Sequence, residues 1–230
     1  MQIEVWSDIV CPWCYIGKRR LDAALARFPH ADQVEVRWRS FQLDPSAPEG
    51  HTEATLPALA AKYGTSVERM RAQMGHIEQL AAAEGLHYDL ATGVSGNTLL
   101  AHQLLHLATD HGLGGAMKER LLHAYFEERR SVFDVPALVP LAVEVGLAED
   151  EVRAALADGR FLPAVRRDID TARALGATGV PFFVVDRAYA AAGAQPAEVL
   201  LQLVERAWAD SHPLTTVPAA EGCEDGSCAV

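Results

Sequence analysis

The chain has 230 residues, 50% of them hydrophobic and 22% charged, which is enough for a sizeable core in one domain or two closely joined ones and excludes a disordered chain. Its 31 acidic and 20 basic side chains leave a formal charge of −11, which disfavours nucleic acid and anionic membranes as partners. No apolar run approaches the ~18 residues of a membrane span, and the opening Met1-Gln2-Ile3-Glu4-Val5-Trp6 has no basic leader region, so a cytoplasmic location is expected.

Residues 2–6 alternate as a first strand and run directly into Cys11-Pro12-Trp13-Cys14, two of the four cysteines of the chain. Beyond the motif, Leu21, Leu25 and Phe28 recur at offsets of four and three, and seven residues back from Leu21 is Cys14. The spacing predicts a helix with Cys14 on its buried stripe and Cys11 at its exposed tip. Two thiols at a helix start can close a small disulfide ring, and the free N–H groups of the first turn stabilise a thiolate. The attacking sulfur must reach a bulky substrate while the resolving sulfur need reach only its neighbour, so Cys11 is expected as nucleophile and Cys14 as resolver.

The helix dipole contributes roughly 0.3–1 kcal/mol, less than the ~1.4 kcal/mol of one pKa unit. Strong acidification of Cys11 would therefore need N–H hydrogen bonds to its sulfur. Asp8 would oppose it if its carboxylate pointed the same way, and Lys18, four residues after Cys14, is available to help. A zinc half-site is the competing reading of the motif, but the next cysteine, Cys223, lies far beyond any finger spacing. No cofactor is expected.

Residues 34–39 alternate as a second strand and complete a βαβ unit. Asp44-Pro45-Ser46-Ala47-Pro48-Glu49-Gly50 then ends the strand pattern and opens a helical stretch. Thr65 with Glu68 fits a capping box, Asn97 can cap a helix carrying Leu100, Leu104 and Leu107, and residues 119–129 continue with Leu121, Leu122, Tyr125 and Phe126. Further helix starts are expected at Asp134-Val135-Pro136 and Ala148-Glu149-Asp150. His102 and His106 share a helix face, but no third ligand is evident, so no metal site is expected and packing or surface histidines are the expected reading. Among the aromatic residues, Tyr15, Trp38 and Phe41 are expected in the core, and Trp13, between the cysteines, at the active surface.

A helix from about Val165 leads to Thr178-Gly179-Val180-Pro181 and the apolar strand Phe182-Phe183-Val184-Val185, where a cis Val180–Pro181 bond would turn the chain sharply. Tyr189 to Ala192 can pair with that strand, and a last helix begins at Pro196. In the tail, Cys223-Glu224-Asp225-Gly226-Ser227-Cys228 is either a second redox pair or an incidental disulfide or free thiols.

The cysteine helix and the Gly179-Val180-Pro181 strand entry resemble the two halves of a thioredoxin-fold active site. More closely, residues 5–18 with their Cys-Pro-Trp-Cys core, Trp38-Arg39-Ser40-Phe41-Gln42-Leu43-Asp44-Pro45, Asn97-Thr98 with Ala101-His102, and Gly179-Val180-Pro181 resemble the DsbA-like oxidoreductases of the FrnE branch. The resemblance implies an α/β thioredoxin-like fold with a large all-helical insertion, a cis proline at Pro181 against the dithiol, and substrate backbone added as a strand beside Val180 and Pro181. It also suggests that Cys223 and Cys228 relay electrons to the active site. Pro12 and Trp13 replace the Pro-His associated with strongly oxidising members.

The expected organisation is an N-terminal thioredoxin part over 1–46, a helical insert over 47–164, a C-terminal thioredoxin part over 165–211 and a tail over 212–230. The expected activity is thiol–disulfide exchange on protein or small-molecule disulfides, with glutathione or a thioredoxin-type protein as recycling partner. Two alternatives stay open. One is a glutathione-dependent enzyme of the hydroxychromene-carboxylate isomerase or kappa transferase type, in which a serine occupies the position of Cys11. The other is a chaperone-like binding module.

Overall fold

Residues 1–213 are described by the computed structural model; the expected tail pair Cys223 and Cys228 lies outside them. β1 (Gln2–Ser7) leads through α1 (Pro12–Leu25) to β2 (Glu35–Ser40). Then follow β3 (Thr52–Ala54), α2 (Thr55–Lys62), α3 (Val67–Ala83), β4 (Val94–Gly96), α4 (Leu99–Asp110) and α5 (Gly114–Phe126). After α6 (Val135–Val145), α7 (Glu149–Ala157) and α8 (Leu162–Ala174), the chain returns to β5 (Phe182–Val185), β6 (Tyr189–Ala192) and α9 (Ala197–Ser211).

A strand buried on both faces belongs inside a sheet, and β1, with Ile3, Glu4, Val5 and Trp6 all buried, is an inner strand of the order β2-β1-β5-β6. It runs parallel to β2 and antiparallel to β5, which pairs antiparallel with β6. This is the βαβ and ββα pairing expected of a thioredoxin-like core. The register sets Val5 beside Trp38 and Phe183, so one face carries Ile3, Val5, Trp38, Phe183 and Val185 into a core shared with Leu21 of α1 and Leu200 of α9. The other face packs Trp6, Phe182 and Val184 on Ala172 of α8. Glu4 on that face is buried because Arg39 and Arg187 meet its carboxylate at 2.7 and 2.9 Å.

The same apolar cluster continues into Leu104 and Leu107 of α4 and Met117 and Leu121 of α5, so the helices between β2 and β5 share a core with the sheet. Their starts follow local chemistry. Asp134 accepts from the Ala137 N–H at 2.9 Å, Asn97 accepts from the Leu99 N–H at 2.9 Å, and three acidic residues fill the first turn of α7, where they complement the helix dipole.

The structure departs from expectation in three details. The insertion is not wholly helical, because β3 and β4 pair antiparallel; three-residue strands are too short to show alternation. The α3 cap is Ser66, which accepts from the Arg69 N–H at 3.2 Å, one residue after the expected Thr65. Helix α8 begins at Leu162 with a proline in its first turn, ahead of the expected Val165.

Candidate active site

Cys11 is the N-cap of α1 and Pro12 opens the first turn, a position where the missing proline N–H costs no helical bond. The Cys14 N–H donates back to the Cys11 carbonyl at 3.0 Å, and both cysteines are free thiols. The Val180–Pro181 bond is cis, and the Cys11 thiol donates to the Val180 carbonyl across 3.6 Å. Gly17, on the next turn of α1, lets the helix approach this loop, since a Cβ there would stand 2.9 Å from Pro181 Cγ and 3.3 Å from Phe183 Cζ.

The expected exposed tip is not exposed. Cys11 is only 3% accessible, because helix spacing defines the stripe that Cys14 shares but not the chain that folds over Cys11 from elsewhere. Both thiols are buried, yet only Cys11 reaches the cleft of about 1050 Å³ between the sheet and the helical segment. Cys11, Pro12, Trp13 and Val180 form one wall of the cleft, facing Met70 and Met74 of α3. Tyr88 fastens the motif by donating to the Pro12 carbonyl at 3.0 Å. Tyr15 and Trp38 lie in the core as expected, while Phe41 and Trp13 are half-buried.

Asp8 does not face solvent either. Its carboxylate is 1% accessible, accepts from the Leu43 N–H at 2.8 Å and lies 3.1 Å from His102 Nε2. Burial opposes its charge, but His102, the Leu43 N–H and the Thr98 hydroxyl hold its carboxyl below the usual range. His102 and His106 therefore go to different acids, since His106 Nε2 meets Asp168 at 3.0 Å. Among the described residues no three His, Cys, Asp or Glu side chains converge as metal ligands.

Lys18 is not the cation of this site. Its ammonium is held by Asp22 at 2.9 Å and Glu119 at 2.8 Å. Glu119 also meets Arg19 and accepts from the Tyr15 hydroxyl at 2.6 Å, and these partners outweigh its burial and hold its carboxyl at about 2. A second lysine of the core is Lys118 of α5, whose Nζ lies 5.8 Å from the Trp38 ring centroid. Its side chain is fully buried, and its Nζ has no hydrogen-bond partner among the described residues.

Burial pushes Lys118 down to about 8, against the opposing pull of Cys14. The Cys11 thiol is pushed up by its hydrogen bond to Cys14 and by burial, and Cys14 is lowered despite burial by the Cys11 thiol, by Lys118 and by the Ser7 hydroxyl. Helix periodicity held the signal for Lys118, which falls on the buried stripe of Met117, Leu121 and Leu122.

The DSBA-like thioredoxin-domain family model matches residues 2–205. The chain belongs to this family. It is thereby placed among the DsbA-like thiol–disulfide oxidoreductases. The DsbA-like chain is 48% identical to a probable DsbA oxidoreductase from Streptomyces coelicolor, over 100% of this chain and 99% of that one, with a TM-score of 0.89. Protein YwbO of Bacillus subtilis is 27% identical over 186 residues, 80% of this chain and 86% of YwbO. The cytosolic disulfide reductase DsbM of Pseudomonas aeruginosa, solved with GSH, shares the fold at 20% identity and a TM-score of 0.60, over 92% of this chain and 98% of that one.

Proposed function

We propose that this DsbA-like protein reduces disulfides through the Cys11/Cys14 dithiol. Cys11 attacks the substrate disulfide as its thiolate; the substrate S–S bond breaks, a mixed disulfide forms on Cys11, and each departing sulfur takes up the proton of the cysteine that displaces it and leaves as a thiol. Cys14 then attacks Cys11 sulfur, releases the second thiol and leaves a Cys11–Cys14 disulfide, so two electrons pass from enzyme to substrate. Val180 and Pro181 lie on the substrate side, Pro12 and Trp13 shape the rim, and a glutathione or dithiol-protein couple returns the two electrons.

The observation that carries this reading is the division of the two sulfurs, with Cys11 on the cleft at the Val180 carbonyl and Cys14 buried away from the cleft lining. That division supports the assignment of Cys11 as nucleophile and Cys14 as resolver. The paired resolver also supports dithiol chemistry over the glutathione-isomerase alternative, which uses a lone serine. A cytoplasmic setting, as for the P. aeruginosa reductase, favours reduction over net oxidation.

Single turnover with oxidised glutathione tests the reading. The reduced protein is expected to release two equivalents of glutathione as both thiols become resistant to alkylation, while Cys11→Ser releases none. Equal release by Cys11→Ser would overturn it.

A further inference from the structure

A peptide group couples its two ends, because a donor on its carbonyl oxygen polarises the amide and strengthens the N–H as a donor. Pro12 and Trp13 share such a group inside the Cys11–Cys14 turn, and the Tyr88 hydroxyl donates to its oxygen at 3.0 Å. Tyr88 belongs to the segment between α3 and β4, which is anchored on both sides of it. Glu84 meets Arg20 of α1 at 2.6 Å and Asp89 meets Arg129 at 3.2 Å, while the His87 and Leu90 N–H groups donate to Glu127 and Glu78 at 3.3 and 2.8 Å. The Tyr88 ring stacks on Phe126 and Tyr15, with centroids 4.7 and 6.1 Å away. A fixed ring on an anchored segment thus delivers the hydroxyl to one carbonyl.

The other end of that peptide is the Trp13 N–H. Trp13 is the second residue of α1, so its N–H has no acceptor within the helix. The natural acceptor for an N–H at this position is the side chain of the N-cap residue, and the N-cap is Cys11. In the thiol form the Cys11 sulfur accepts no cap hydrogen bond and its S–H donates to the Val180 carbonyl at 3.6 Å. A thiolate has no proton for that carbonyl and needs donors instead. Pro12 has no N–H, and the Cys14 N–H is already engaged with the Cys11 carbonyl at 3.0 Å. The Trp13 N–H is the donor of the first turn left free for the sulfur.

We propose that Tyr88 is a positioning residue for the Cys11 thiolate: by holding the Pro12 carbonyl it makes the Trp13 N–H a stronger donor to the ionised sulfur. The inference rests on the dithiol reading above and concerns its first step, the attack by Cys11. Tyr88 acts through the Pro12–Trp13 peptide and does not itself take or give a proton. Burial holds its hydroxyl above the usual phenol range, so it stays a donor in alkaline solution. The titratable groups that bear on Cys11 are Cys14 and Asp8, and those that bear on Tyr88 are Tyr15, Glu127 and the two cysteines. All of them remain in Tyr88→Phe, which keeps the stacked ring and removes the hydroxyl alone.

The experiment follows the first coloured thiolate released when reduced protein meets one equivalent of 5,5′-dithiobis(2-nitrobenzoate), by stopped flow across the pH range in which Cys11 ionises, in wild type and Tyr88→Phe. Loss of the hydroxyl is expected to leave about threefold less Cys11 thiolate at pH 7 and to move the midpoint of the rate profile to higher pH. A thiolate of higher pKa is also the better nucleophile, with a Brønsted slope of about 0.4–0.5, so attack should be about twofold slower at pH 7 and about 1.5-fold faster above both midpoints. A midpoint common to the two proteins overturns the proposal. So does a deficit of the same size at every pH, which a loosened turn alone would give. If wild type gives no first release, the dithiol reading itself fails and takes this one with it.

Amide resonances of the wild-type protein give a second readout that needs no variant. The Trp13 amide proton is expected to move downfield as Cys11 ionises, because it then donates to a charged sulfur. A Trp13 amide that does not respond to that ionisation overturns the proposal.

Discussion

Replacing Cys14 by serine is expected to leave the protein attached to its substrate, with mixed disulfides accumulating on Cys11 and turnover falling by about three orders of magnitude or more, as when one member of a catalytic unit is removed. The geometry sets this outcome. Cys11 retains its place on the cleft and its contact with the Val180 carbonyl, so the first exchange can still occur. A serine hydroxyl does not displace a sulfur, so the second step has no attacking group. Intact mass and peptide mapping after brief exposure to a small disulfide check the prediction; a variant that turns over normally, or that carries its adduct away from Cys11, contradicts it.

Truncating Asp8 to alanine is expected to destabilise the protein by about 1–3 kcal/mol, the usual cost of leaving buried hydrogen-bonding groups without their partner. The carboxylate is 1% accessible, and its loss would strip His102 Nε2 and the Leu43 N–H of their partner. His102 is also fully buried, with Nδ1 already unpartnered among the described residues. Because the folded state holds the Asp8 carboxyl below its ordinary value, its stabilising contribution is complete above the unfolded pKa of about 3.9. That contribution is lost as pH falls through the lower folded value. Urea denaturation should therefore show a large gap between wild type and Asp8→Ala at pH 7 that narrows in acid. A gap that stays constant as the pH is lowered would mean that the Asp8 charge is not what the fold uses.

The parts of this architecture legible in the sequence are those whose signals are local. Alternation over Ile3 and Val5, the three-and-four spacing after Cys14, and a proline entering an apolar run at Phe182 suffice to place β1, α1 and β5. Asp134 announces its helix because a cap is a contact between residues three apart, whereas the N-cap of α4 is Thr98, one residue after the expected Asn97, which still accepts from the Leu99 N–H. The sequence does not show what depends on distant chain. Lys18 has the right spacing to serve the thiols, but Glu119 takes its charge. The buried lysine of the core comes instead from α5, and only the packing of α5 on β2 brings Lys118 to Trp38. Spacing alone likewise set His102 and His106 side by side as a pair, whereas Asp8 and Asp168 draw them to separate networks. The burial of Cys11 was missed for the same reason, since the cis Val180–Pro181 loop lies far along the chain.

The most direct test of the account is equilibration of the protein in glutathione buffers of graded potential, with alkylation and peptide mapping to identify the bond that forms. The account predicts one reversible two-electron transition in which Cys11 and Cys14 join to each other, with a midpoint at or below the cytosolic glutathione poise of about −220 to −320 mV, where about 30 mV is a tenfold change in the equilibrium. Failure of Cys11 and Cys14 to join at any poise would contradict it.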